Sequence, residues 1–139
     1  MSRGSSSDSQ RSNPMTYGCA KCWPESADSA WEACLRLNRQ RELVDESHFH
    51  VMVLGCPECE QAFLWVFMES IDWDDGDDPQ FWSVVPIDGA EREALYHATT
   101  SERDLQGVAR GRRSLFRAAP KGAPQSNRWA AGIVLVPHD

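Results

Sequence analysis

Two identically spaced cysteine pairs, Cys19-x-x-Cys22 and Cys56-Pro-Glu-Cys59, set out the chemistry this chain is equipped for. Each pair fits a tight knuckle that aims two thiolates at a common point, and four thiolates complete the tetrahedral shell of a structural Zn²⁺. Such a shell leaves no coordination position for a substrate or an activated water, so the role it implies is folding rather than catalysis. A redox pair would need a strand–helix–strand setting around one CxxC, and none is legible here. The fifth cysteine, Cys34, stands one turn beyond Trp31 and reads as a core-packing thiol. His48 and His50 alternate along one strand. With four cysteines available, they read as hydrogen-bonded strand histidines or as groups supporting the thiolates, and less well as substitutes for one cysteine ligand.

Two charged segments are the other candidates for function. Asp72, Asp74, Asp75, Asp77 and Asp78 crowd one loop with Trp73, and Phe81 and Trp82 follow just beyond it. Calcium is a poor fit. Counted from Asp72, the fifth residue is Gly76 and the twelfth is Ser83, whereas an EF-hand loop needs Gly at its sixth position and Glu at its twelfth. A solvated loop is the plain reading, and a surface that docks a basic protein, with Trp73 and Trp82 as aromatic anchors, is the functional one. Arg110, Arg113 and Arg117 form the opposite feature, a basic stripe on a predicted helix. That stripe is either a solvated face or a phosphate-contacting one. No Gly-x-Ser-x-Gly, phosphate loop or His-Glu-x-x-His motif is present, and no nucleophile stands beside an evident base, so the expectation is a protein that is not an enzyme.

Charge bounds the partners. The net charge is −7, and residues 42–104 carry sixteen acids against two arginines, whereas 105–138 carry six basic residues and no acid. This asymmetry implies a charged partner or two halves that face each other in one fold. For free nucleic acid the overall sign is unfavourable. No apolar run approaches the roughly 20 residues of a membrane span, and the polar N-terminus lacks the apolar core of a secretory signal. With an odd cysteine count and two CxxC pairs, a reducing, cytoplasmic setting is expected.

The elements that must position these groups follow from periodicity. Residues 1–14 are Ser-, Arg- and Asn-rich without apolar periodicity and read as a disordered leader. Met15 offers an alternative start, and residues 15–139 read as one domain. A helix is expected from Pro24 to about Val44, capped by Ser26 or Asp28, with Ala27, Trp31, Cys34 and Leu35 on its apolar side. His48–Leu54 and Ala62–Met68 read as buried strands of a hairpin that carries the second knuckle at its tip. Phe81–Pro86 reads as a further strand. Asp88 and Glu91 open a helix to about His97 in capping-box fashion, residues 101–118 form the second, basic-striped helix, and Trp129–Val136 ends the sheet.

Cys19, Cys22, Cys56 and Cys59, with a hairpin around the second pair, resemble the zinc-ribbon group of folds. The 33 residues between Cys22 and Cys56 exceed the usual ~15–20, which leaves a treble-clef-like or inserted variant open. The expected architecture is α+β, with an antiparallel sheet and a zinc-knuckle hairpin packed against two or three helices. The function expected first is a small zinc-stabilised protein that docks a basic protein partner, an immunity or antitoxin-type inhibitor of bacterial kind being one form. Second comes a nucleic-acid-binding or transcription-associated module using the basic helix.

Overall fold

The computed structural model describes residues 17–70, 79–97, 105–120 and 122–136. The leader (1–14) and the five aspartates of the acidic loop lie outside the described residues, as does Trp73. The elements are α1 (Ala27–Cys34), β1 (Asn38–Glu46), β2 (Phe49–Gly55), β3 (Ala62–Glu69), β4 (Gln80–Ile87), α2 (Gly89–His97), β5 (Arg113–Ala119) and β6 (Ser126–Ala131). All six strands join one sheet in sequence order, each antiparallel to the next. The fold is the expected α+β architecture, with two helices among the described residues and the second cysteine pair at the tip of the β2–β3 hairpin.

Alternation sorts the strand residues onto two faces. Val51, Val53, Leu64, Val66, Met68, Val85 and Ile87 form the principal core, closed over by Leu95 of α2, by Leu105 and Ala109, and by Ile133, Leu135 and Val136 of the C-terminal segment. The reverse face carries Phe63, Val84 and Leu115, and is covered at one end by the first knuckle and α1 through Cys22, Trp23, Ala30 and Cys34. Because both faces of β2 are covered over most of its length, it reads as a continuous apolar run. Pro86, opposite Phe63, falls where β5 no longer pairs with β4, so its missing N–H leaves no gap in that ladder.

Two expected helices are corrected. The first is only eight residues long, ending at Cys34, and Ser26 caps it by accepting the Ser29 N–H. The segment from Asn38, though rich in helix-tolerant Arg, Gln and Glu, pairs instead along β2 as an edge strand, because a half-covered apolar strand next to it offers a ladder that local propensity does not outweigh. The second, the basic-striped helix over 101–118, is helical in its described part only at Leu105 and Gln106. Ala109 and Gly111 both take positive φ, +53° and +78°, which breaks helical continuation and turns the chain into β5. The last strand also ends earlier than expected, at Ala131. The capping box does form: Asp88 Oδ1 accepts the Glu91 N–H at 2.7 Å, and Glu91 Oε1 accepts the Asp88 N–H at 2.8 Å.

Candidate metal centre

The first knuckle is built by a backbone turn in which Cys22 and Trp23 both donate to the Cys19 carbonyl. Gly18 makes the turn feasible. Its φ is +71°, and a Cβ there would lie 2.9 Å from both the Cys22 Sγ and the Trp23 Cβ, so only glycine fits without displacing a candidate ligand. Trp23 then seats the knuckle on the sheet between Phe63 and Trp129, with ring centroids 5.3 and 5.1 Å away. The second knuckle closes where Cys56 N–H donates to the Gln61 carbonyl and Glu60 N–H to the Cys56 carbonyl, with Glu60 at φ +67°. Gln61 joins the two knuckles. Its Oε1 accepts the Gly18 N–H at 3.0 Å, while its Nε2 donates to the carbonyls of Ala62 and Ile87.

This framework brings all four Sγ atoms within 4.8 Å of one another. Cys19 lies 3.7 Å from Cys22 and 3.9 Å from Cys56, and Cys22 lies 3.7 Å from Cys59. Four sulfurs placed ~2.3 Å from a tetrahedral centre would be ~3.8 Å apart, whereas a disulfide would require about 2.05 Å. The geometry therefore suits a metal ion, and the five cysteines of the chain are all free thiols.

Backbone amides prepare the site for negative charge. Glu58 N–H donates to the Cys56 Sγ at 3.3 Å and Cys19 N–H to the Cys22 Sγ at 3.2 Å. The Cys22 N–H is the main reason that the Cys19 thiol is lowered to about 7, assisted by the Lys21 N–H against the opposing effect of burial. Burial dominates at Cys22 and Cys59 and raises both. Such an uneven set is levelled by a bound cation, which deprotonates each coordinating thiol. Cys34 stays apart, buried in α1 with its thiol pushed up to about 12 by burial alone, as befits a packing residue.

The histidines lie elsewhere. His50 is at the opposite end of β2 from Cys56, roughly 20 Å away at the rise of a strand, so neither it nor its neighbour His48 supports the thiolates. Instead, His48 Nδ1 meets Glu69 Oε1 at 2.9 Å, and His50 Nδ1 meets Asp45 Oδ1 at 3.2 Å. Glu42, Asp45 and His50 form a second close group, which sequence reading missed because Glu42 fell inside an expected helix and Asp45 just past its end, with no strand expected to bring them beside His50. Beside the cysteines, Asn38, Gln40, Gln61, Asp88 and Arg92 line a polar cleft of about 700 Å³.

The basic stripe is dispersed. Arg110 sits in the turn before β5, whereas Arg113 stacks over Trp129 at 3.9 Å and Arg117 over Trp31 at 4.5 Å. Arg117 also donates to Asn127 and Gln125. These guanidiniums staple α1 and the first knuckle to the sheet, although Arg113 remains exposed and Arg117 half-buried. Arg112 is the basic-half residue that forms an ion pair with the acidic half among the described residues, donating to Glu91 Oε1 at 2.7 Å and also to the Pro86 carbonyl at 2.8 Å. Trp82 is half-buried beside Phe67 and Trp31, with centroids 5.3 and 5.4 Å away. No described helix is long and apolar enough to cross a membrane. In comparisons with family models, curated proteins and solved structures, nothing matches this chain.

Proposed function

We propose that this chain is a zinc-stabilised cytoplasmic binding protein, not an enzyme, in which Cys19, Cys22, Cys56 and Cys59 hold a structural Zn²⁺ and an acidic surface docks a basic protein partner. The docking residues are Asp72, Asp74, Asp75, Asp77 and Asp78 with the anchors Trp73 and Trp82. Zinc binding supplies folding free energy where the N-terminal segment meets the sheet, and it places no open coordination site near the docking surface.

The observation that carries this reading is the position of Trp82. The acidic segment joins β3 to β4, its stem closed by the Ser70 N–H donating to the Pro79 carbonyl at 3.0 Å, and Trp82 stands two residues into β4 on a half-open aromatic strip. A desolvatable ring beside concentrated negative charge is the composition of an interface that selects a basic surface. An immunity or antitoxin-type inhibitor is the concrete form, since dense carboxylates can imitate the phosphates that a nuclease cleft attracts. The nucleic-acid alternative has less support, because Arg113 and Arg117 are spent on internal stacking.

Affinity capture from source-cell lysate tests the reading, comparing the parent with a variant carrying Asn at Asp72, Asp74, Asp75, Asp77 and Asp78. A stoichiometric basic protein retained by the parent and lost by the variant is expected. Recovery of nucleic acid by both proteins would sink it.

A further inference from the structure

One end of the knuckle-bearing sheet face is left open. Cross-strand register lines up Asp45, His50, Phe67, Trp82 and Arg117 in one row, and Glu42, Met52 and Trp65 in the next; Trp31 of α1 reaches Trp82 and Arg117 at the inner end of the first row. The rings are continuous: His50 to Phe67 5.7 Å, Phe67 to Trp82 5.3 Å, and Trp65 nearly parallel to Phe67 at 6.4 Å. His50, Trp65, Phe67 and Trp82 all keep partial solvent exposure.

The edge strand beside this strip is irregular in a way that matters. Its pairing steps from Glu42 opposite Met52 to Val44 opposite Val51, so one residue of β1 is unopposed. In a regular strand Glu42 and Asp45, an odd number of residues apart, would point to opposite faces. The bulge turns both onto the face of His50, and their carboxylates and the imidazole come within 4.8 Å of one another. Glu69 lies on the same face past Phe67, held by His48 and Gln80. Arg117, bonded to Asn127 and Gln125 and stacked on Trp31, forms no ion pair with these carboxylates; among the described residues Asp45 meets His50, and Glu42 has no Lys or Arg ion pair.

We propose that this open face is a cation subsite that receives a lysine or arginine side chain of the basic partner, with Phe67 and Trp65 as its aromatic floor and Glu42 and Asp45 as its counter-charge. The inference rests on the reading of a basic protein partner and names where one of its side chains anchors. Ring faces attract a cation through their quadrupole, and a nearby carboxylate adds charge and direction. A base-stacking platform for single-stranded nucleic acid would pair such rings with a positive groove, whereas the charge here has the opposite sign.

The probe is a lysine-rich peptide of about a dozen residues, the length of a short docking segment, set against its glutamine analogue. Tryptophan fluorescence and titration calorimetry at low salt report binding to the full chain. The parent is expected to bind the lysine peptide and not the analogue. Glu42→Gln with Asp45→Asn should weaken binding about tenfold, and Phe67→Leu about threefold. Glu32→Gln with Glu93→Gln, which removes the same charge from exposed helical sites, should bind as the parent does. Equal loss in both charge variants would mean unspecific attraction and overturn the subsite. If the five-aspartate variant loses the peptide while the Glu42/Asp45 variant keeps it, the subsite fails and the loop reading survives; the reverse leaves the subsite standing and removes the loop. Quenching by a single-stranded oligonucleotide, with none by the peptide, would also overturn the proposal.

Discussion

At the knuckle end of the reverse sheet face, reactive groups are turned inward: four thiols converge, amides point at sulfur, and Trp23 is wedged between two rings. At the far end of the same face, carboxylates and half-open rings are turned outward, and β1 carries a bulge that keeps them together. Both ends are built on the β2–β3 hairpin, from residues that lie only a few positions apart in sequence. Covered by α1 and the first knuckle, one end has its polar groups used for folding. The other, reached by α1 only through Trp31, leaves His50, Trp65 and Phe67 partly exposed. On the proposed reading, the cysteine motif, though the most conspicuous feature of the chain, marks the end that stabilises, and the other end is the one that recognises a partner.

The strongest way to test this division is to remove a ligand. Cys22→Ser should abolish cooperative unfolding or cost several kcal/mol, since metal binding free energy is folding free energy; chelator should have the same effect on the parent and none on the variant. A thermal transition shared by both proteins would contradict a structural centre. Gly18→Ala should follow at about 2–3 kcal/mol, because it adds a left-handed penalty to a collision with Cys22 and Trp23. Metal content measured beside stability would place the damage at the knuckle. Arg112→Met should cost about 2 kcal/mol by leaving Glu91 and the Pro86 carbonyl without their shared donor, read by urea denaturation with metal occupancy unchanged.

A smaller effect is expected in alkali. The folded-state pKa of Cys34 is raised by burial from 9.0 to about 12, so its contribution to stability is complete below about pH 9 and is lost as pH rises toward the folded value. From about pH 9 to 10 the loss should approach 1 kcal/mol, and Cys34→Ala should flatten that fall. The smallest change in stability belongs to Glu42→Gln with Asp45→Asn, within about 0.5 kcal/mol, because both side chains are exposed. That variant should separate the two ends cleanly, leaving melting intact while weakening cation binding. A large loss of stability would make the bulge a folding device instead.

The errors of sequence reading share a physical origin. Arg113 and Arg117 are four residues apart, a spacing that puts side chains on one side of a helix and also on one face of a strand, so periodicity alone could not separate the two. The positive φ at Ala109 and Gly111 decided between them. Likewise, Arg39–Val44 had helical composition and became an edge strand because β2 presented an unpaired ladder. Where a signal was local, it held: the Ser26 cap, the Asp88–Glu91 box, the β2–β3 hairpin and the buried thiol of Cys34.

By itself the sequence determined the two knuckles, the β2–β3 hairpin, β4 and α2, because a CxxC turn, a capping box and a continuous apolar run are properties of a few neighbouring residues. Tertiary structure alone decided that Arg113 and Arg117 would stack on tryptophans from a strand rather than line a helix, that the histidines would lie at the far end of β2 from the cysteines, and that Glu42 and Asp45 would share a face with His50. Those outcomes depend on cross-strand register and on a single bulge, and register is set by pairing between segments distant in the chain, which no local pattern encodes.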